Sequence, residues 1–156
     1  MVNKVNHYDA VYKLVENNVE MFKGIEPYNV SIPPGWFNLI STLIDSLNEE
    51  LKKCPQITLS IKQIKEKFGG LRFYYGLKNH QKHEEVVENI FKIVSKAEND
   101  SFGICYVCGE PATKRMSGWV SMRCDAHANE NQVYDEDDGK SFRDFEIRML
   151  KLVDYQ

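Results

Sequence analysis

Long apolar runs are missing from this chain of 156 residues, and none approaches the roughly 18 residues that span a bilayer. The opening stretch, MVNKVNHYDAVYKL, also lacks the apolar segment of roughly 7–15 residues that marks a secretory signal. A soluble protein without membrane contact is expected, in a cytoplasm where thiols stay reduced. An excess of one charge is missing too. The formal net charge of −3 withholds the basic signature of a general nucleic-acid binder. Cysteine is scarce, with four in all: too few for a disulfide-dense scaffold, enough for one metal site. Also missing are a Walker loop, a nucleophile elbow, a His-Glu-x-x-His helix and the His-x-Glu plus Pro-Cys-x-x-Cys set of zinc deaminases.

What is present describes a folded chain. Hydrophobic residues make up 42% and aromatics 12%, well above the range of disordered proteins. Residues 1–100 carry 13 basic and 13 acidic side chains, so the C-terminal third holds the whole imbalance. Part of that is the run Asp135, Glu136, Asp137, Asp138, whose Gly139 comes one place too early for a calcium loop. It reads as a solvated loop.

Periodicity predicts a helix from Asp9 to about Phe22 and a second from Trp36 to Lys53, entered through Pro33-Pro34-Gly35 and closed before Pro55. From Ile57 to Lys62 the period becomes two, as in a half-buried strand. A second strand runs from Leu71 to Leu77, with KQIKEKFGG between them and Gly69-Gly70 making the reversal. A helix over Glu84–Glu98 buries Val86, Val87, Ile90, Phe91, Val94 and Ala97. A last helix over Ser141–Val153 packs Phe142, Phe145, Ile147, Leu150 and Leu152 in part.

The most informative segment spans residues 105–132. Cys105 and Cys108 stand two residues apart and are followed by Gly109; Cys124 and His127 repeat the spacing. Three sulfurs and one imidazole make a complete tetrahedral set, the pattern of structural zinc. Lys114–Met116 and Trp119–Met122 suit a hairpin around Ser117-Gly118, and a helix is expected after His127. Knuckle, hairpin and helix in that order describe a treble-clef-like element. Cys54, beside Pro55, reads as a small buried or half-buried apolar residue. His80 and His83 read as part of a solvated loop.

The fold class that follows is α+β: helices around a small antiparallel sheet, with the zinc element near the C-terminus. Residues 1–100 form the body, and 101–156 form the zinc element and last helix, packed with it as one unit. Between Cys108 and Cys124 there is neither histidine nor aspartate to activate water, which disfavours a zinc-stapled nuclease. Lys65, Lys67 and Arg72 around the first hairpin, with Lys114, Arg115 and Arg123 on the second, are candidates for binding phosphates. Basic residues also blunt sheet edges. Gly69 and Gly70 suit either a turn or the close approach of a ligand.

The string Ile64 to Tyr74, IKEKFGGLRFY, with Gly35-Trp36, Ala97-Glu98, Cys105 to Gly109, Gly118-Trp119 and Cys124-Asp125-Ala126-His127, resembles a group of small, functionally uncharacterised zinc-finger proteins of phages and prophages. The resemblance covers about residues 34–128. It implies the zinc site and a host-cell setting, and by analogy with phage accessory proteins it implies binding, and inhibition, of a host or defence protein. The expectation is therefore a non-enzymatic accessory protein with a protein partner. Nucleic-acid binding by the basic hairpins comes second, and a zinc-stabilised hydrolase third.

Overall fold

The first helix begins at a cap rather than at its first apolar residue. In the computed structural model, which describes residues 2–116, 120–129 and 132–154, Asn3 Oδ1 accepts from the N–H groups of Val5 and Asn6 at 2.9 and 3.4 Å. That cap satisfies donors a helix start otherwise leaves bare, so α1 spans Lys4–Asn17 instead of starting at Asp9. Asn18 ends it. Its Nδ2 donates back to the Leu14 carbonyl at 2.9 Å, and its Oδ1 accepts from Asn48 at 2.8 Å. The single helix expected to Phe22 is thus split, and Val19–Phe22 forms a separate turn, α2.

Two 3-10 turns, Pro27–Asn29 and Pro34–Trp36, lead into α3, Phe37–Leu51. Ile40, Leu43, Ile44 and Leu47 form the expected buried stripe, with Trp36 enclosed ahead of it. Glu50 closes the stripe as a buried carboxylate, accepting from Lys53 Nζ and Asn89 Nδ2, both at 2.8 Å. These bonds, that from Lys53 foremost, hold its carboxyl below the usual range. Asn89 belongs to α4, Glu84–Ser101, so the cluster ties the two helices together.

The sheet is an antiparallel hairpin of β1, Thr58–Lys67, and β2, Gly70–Lys78. The first strand therefore runs through the stretch expected to be a connection. Its register explains why the sequence hides this: Ile61 faces Tyr75 and Gln63 faces Tyr74, leaving Lys62 as an extra residue. A bulge shifts the alternation by one, so the buried series Leu59, Ile61 resumes at Ile64. The reversal itself is Phe68-Gly69, with φ of +54° and +88°, a two-residue loop of the kind that matches strand twist. Gly70 already belongs to β2.

Helix α4 protects the open edge of β2. The Leu71 N–H donates to Ser101 Oγ at 2.8 Å and the Phe73 N–H to Glu98 Oε2 at 3.0 Å. An uncovered strand edge would offer those groups to another chain. The face of α4 toward the core carries Ile90, Val94, Ala97 and Ser101. Phe91, expected in that face, is 63% exposed, since one step along a helix turns the side chain by about 100°.

The last helix, α5, spans Lys140–Asp154 and buries Ser141, Phe145, Met149 and Val153. Ile147 and Leu150, expected to pack in part, face outward instead. This helix lies along α1, where Arg148 bonds Asp9 at 2.7 Å and sits 4.0 Å over the Tyr12 ring. The acidic run before it does more than meet solvent. Asp137 accepts from the N–H groups of Gly139 and Ser141 at 3.1 and 3.2 Å and pairs with Lys4 at 3.3 Å. Phe145, Met149 and Val153 thereby join one core with α1, α3, α4 and the hairpin. Among the described residues no helix is long and apolar enough to cross a membrane.

Candidate metal centre

The metal segment starts as a tight loop closed on itself. Ile104 and Pro111 form a bridge, the Cys105 N–H donates to the Glu110 carbonyl at 2.7 Å, and the Gly109 N–H returns to the Cys105 carbonyl at 3.0 Å. Gly109 makes the bend with φ of +83°, a conformation that side chains with a Cβ resist. A short hairpin follows, β3 (Lys114–Met116) against β4 (Ser121–Arg123). The expected turn at Ser117-Gly118, and Trp119 beside it, lie outside the described residues. Cys124 then enters a 3-10 turn, Asp125–His127. Among the described residues, the helix expected there is this one turn, while the order of knuckle, hairpin and helical turn stands.

The four ligand atoms lie within 4.8 Å of one another. Cys108 Sγ is 3.7 Å from Cys124 Sγ, and His127 Nδ1 is 3.8 Å from Cys105 Sγ and 3.2 Å from Cys124 Sγ. A tetrahedral ion with metal–sulfur bonds of about 2.3 Å and metal–nitrogen bonds of about 2.05 Å sets S···S edges near 3.8 Å and S···N edges near 3.6 Å. The S···S distance of 3.7 Å is close to the first value and the S···N distances of 3.2 and 3.8 Å fall on either side of the second, so the cluster can hold a metal ion through three sulfurs and the Nδ1 of His127. Cys54 stands apart, buried, with its thiol donating to Gln56 at 3.1 Å. His80 and His83 gather no further ligands among the described residues.

Ligand electrostatics follow from the loop. Burial alone would push the Cys105 thiol up, but backbone N–H groups of Cys124, Cys108 and Val107 aim at its sulfur and bring it down to about 6. Cys108 goes the other way: burial, helped by the neighbouring sulfurs of Cys124 and Cys105, pushes it up to about 11 against the N–H of Glu110. Hydrogen bonds to a thiolate favour the charged form, and a second nearby thiolate disfavours it. The knuckle thus readies one anionic donor at neutral pH.

The knuckle docks on the body by direct contact of main chains. The Gly35 N–H donates to the Tyr106 carbonyl at 2.9 Å. A Cβ at Gly35 would stand 1.9 Å from the Cys105 carbonyl oxygen and 2.8 Å from the Gly109 nitrogen. Next door, Trp36 meets the Tyr106 ring edge-on at 5.7 Å. The first hairpin repeats the theme. A Cβ at Gly70 would lie 2.2 Å from the Phe102 ring, and one at Gly69 would lie 3.1 Å from Val120 Cγ1. The GW, FGG and Cys-x2-Cys-Gly strings, far apart in sequence, are therefore the surfaces by which the metal element is seated.

This arrangement sorts the basic and glycine candidates. Lys65, Lys67, Arg72, Lys114 and Arg115 reach the surface. Gly69 and Gly70 do not: the space that a ligand would need is filled by Val120 and Phe102. Arg123 is also buried rather than displayed, its Nε bonded to Ser121 Oγ at 3.0 Å and its guanidinium 5.6 Å over the Tyr106 ring. Tyr106 and Phe102 were missed as positioning residues, because nothing local marks an aromatic whose partner is a distant glycine. Compared with protein-family models, with curated proteins and with solved structures, the chain finds no match, so the assignment of this centre rests on its own geometry.

Proposed function

We propose that the chain is a non-enzymatic accessory protein of the phage type, in which a structural zinc ion holds together a surface that binds a macromolecule of the host cell. The observation that carries this is the closed ligand set: Cys105, Cys108, Cys124 and His127 converge on one point. Four protein donors leave no position for water or substrate, which is the mark of a structural rather than catalytic zinc. Thiolates with an imidazole suit zinc and do not suit calcium or magnesium, which take oxygen ligands. The Gly35–Tyr106 contact supports the same reading, since grip on the ion passes straight into the start of α3. The resemblance to phage proteins supports the accessory role, with a defence or other host protein as the partner named first. A specific observation favours the second reading, nucleic acid: among the described residues, the cations on the outer face of the first hairpin form no ion pair with a carboxylate.

The test is metal removal. Zinc should copurify at one ion per chain, and chelation or Cys108→Ser should melt the C-terminal third at a lower temperature than the metal-loaded protein. Thermal stability that chelator leaves unchanged would sink the structural assignment. Cobalt substitution separates the roles further: a tetrahedral thiolate spectrum with no exchangeable water is expected, and a solvent ligand would point to catalysis.

A further inference from the structure

The bulge at Lys62 does more than reset the core. It leaves one face of the hairpin carrying Lys62, Lys65 and Lys67 from β1 and Arg72, Tyr74 and Lys78 from β2. Register sets Lys65 directly opposite Arg72, and like charges facing across a ladder are destabilising. None of these five cations forms an ion pair among the described residues, although six such pairs occur elsewhere. The nearby Glu66 is occupied, its Oε1 accepting the Gly69 N–H at 2.9 Å. An anion supplied from outside would relieve the repulsion within such a stripe.

Aromatic rings lie in the same stripe. Tyr74 is 45% exposed and Phe68, at the hairpin tip, is 68% exposed. Lys65 Nζ stands 5.7 Å over the first ring and Lys67 Nζ 5.7 Å over the second. Each ring beside a cation offers a base a face to stack on and its phosphate a charge to meet. An acidic peptide would use the charges and leave the rings idle. The stripe also continues past the tip: Gly69 lies against Met122, and Arg115 is the cross-strand partner of Met122. From Lys62 to Lys67 a strand rises about 16 Å, room for a few nucleotides.

We propose that the outer face of β1–β2 binds single-stranded nucleic acid, with Lys65 and Arg72 at phosphates and Tyr74 and Phe68 as stacking platforms. This takes up the second reading above, nucleic acid in place of a protein, and rests on the metal-held surface proposed there, because Val120 and Met122 of the metal element lie against Gly69 at the hairpin tip. The experiment measures anisotropy of labelled twelve-residue DNA and RNA single strands with the full, metal-loaded chain. Each phosphate contact contributes a slope of about −0.7 in log K against log salt, so the two contacts weaken binding about sevenfold between roughly 50 and 200 mM salt. Tyr74→Ala should cost about tenfold in affinity, and Lys65→Glu more, with metal content unchanged in both and Lys65→Glu melting no lower than the wild type, since its carboxylate then faces Arg72.

Absent binding at low salt, or binding indifferent to salt, overturns the proposal. So does competition by polyglutamate as strong as by an oligonucleotide of equal charge, which would indicate an acidic protein instead. Equal affinity for duplex, untouched by Tyr74→Ala, would overturn the single-strand claim. A negative result with one metal ion still bound per chain refutes only the partner, whereas loss of metal binding refutes the reading beneath it.

Discussion

Changing Gly35 to alanine adds one methyl group at a place where two main chains touch. The new carbon would sit 1.9 Å from the Cys105 carbonyl oxygen, and its other close neighbours, Gly109 N and Tyr106 C, are backbone atoms too. No side chain can swing aside. The knuckle as a whole has to retreat by about 1 Å or more, which also breaks the 2.9 Å bond from the Gly35 N–H to Tyr106. Overpacking of this kind costs about 1–3 kcal/mol, and the lost hydrogen bond adds about 1 kcal/mol. At about 2–4 °C per kcal/mol for a chain of this size, a loss near 3 kcal/mol lowers Tm by about 6–12 °C. Gly103→Ala is the control, because its Cβ would meet only Asp100 O at 3.6 Å. Thermal unfolding of the metal-loaded proteins reads the first effect, and competition with a chromophoric chelator reads weaker metal binding in the Gly35 variant. If Gly35→Ala melts like the control and keeps its metal as tightly, the docking argument is wrong.

Other expectations follow from the same packing. Gly70→Ala meets a ring rather than a backbone, so it should destabilise less than Gly35→Ala, and Phe102→Ala should relieve part of the loss; a double-mutant cycle without coupling would refute the contact. Ser101→Ala strips the buried Leu71 N–H of its acceptor and should cost about 1–3 kcal/mol in urea unfolding, against almost nothing if water takes over. His7 is buried, its Nε2 bonded to the Ile32 carbonyl at 2.8 Å, and burial, against that hydrogen bond, lowers its pKa from 6.5. The unfolded chain therefore binds the proton first, so stability contributed by neutral His7 is present above about pH 6.5 and falls as the pH drops below it. Metal-saturated wild type should lose more stability between roughly pH 7 and 5 than His7→Gln, and parallel curves would refute the assignment.

The ligand quartet was legible in the sequence because coordination needs donors of fixed type at short spacing, and Cys105, Cys108, Cys124 and His127 meet it. The buried stripe of α3 was legible for a similar reason: Ile40, Leu43, Ile44 and Leu47 answer to one period. Features that depend on a single polar residue were harder. Asn3 starts α1 and Asn18 stops it, yet neither disturbs the hydrophobic pattern from which helix ends are read. The bulge at Lys62 disguised half of β1, since one unmatched residue turns a period of two into an apparent loop. Glycine signalled a turn at Gly69 and Gly70 alike, whereas only Gly69 turns and Gly70 makes room for Phe102. That distinction lies in a contact between residues 32 positions apart, beyond the reach of any local pattern.

The pairing of α1 with α5 changes what kind of part the metal element is. Thirty-eight residues separate Ser101 at the end of α4 from Lys140 at the start of α5, and both of those helices belong to one core. The element is thus an insertion whose two ends are pinned, not a tail. If it lost its ion and went slack, keeping α5 seated would mean closing a floppy loop of that length, an entropic cost of about 3 kcal/mol beyond the constant term. Chelation should then be felt at Asp9 and Tyr12, where Arg148 lands, on the opposite end of the chain from any ligand. During synthesis the same geometry leaves α1 without α5 until residues 140–154 have left the ribosome.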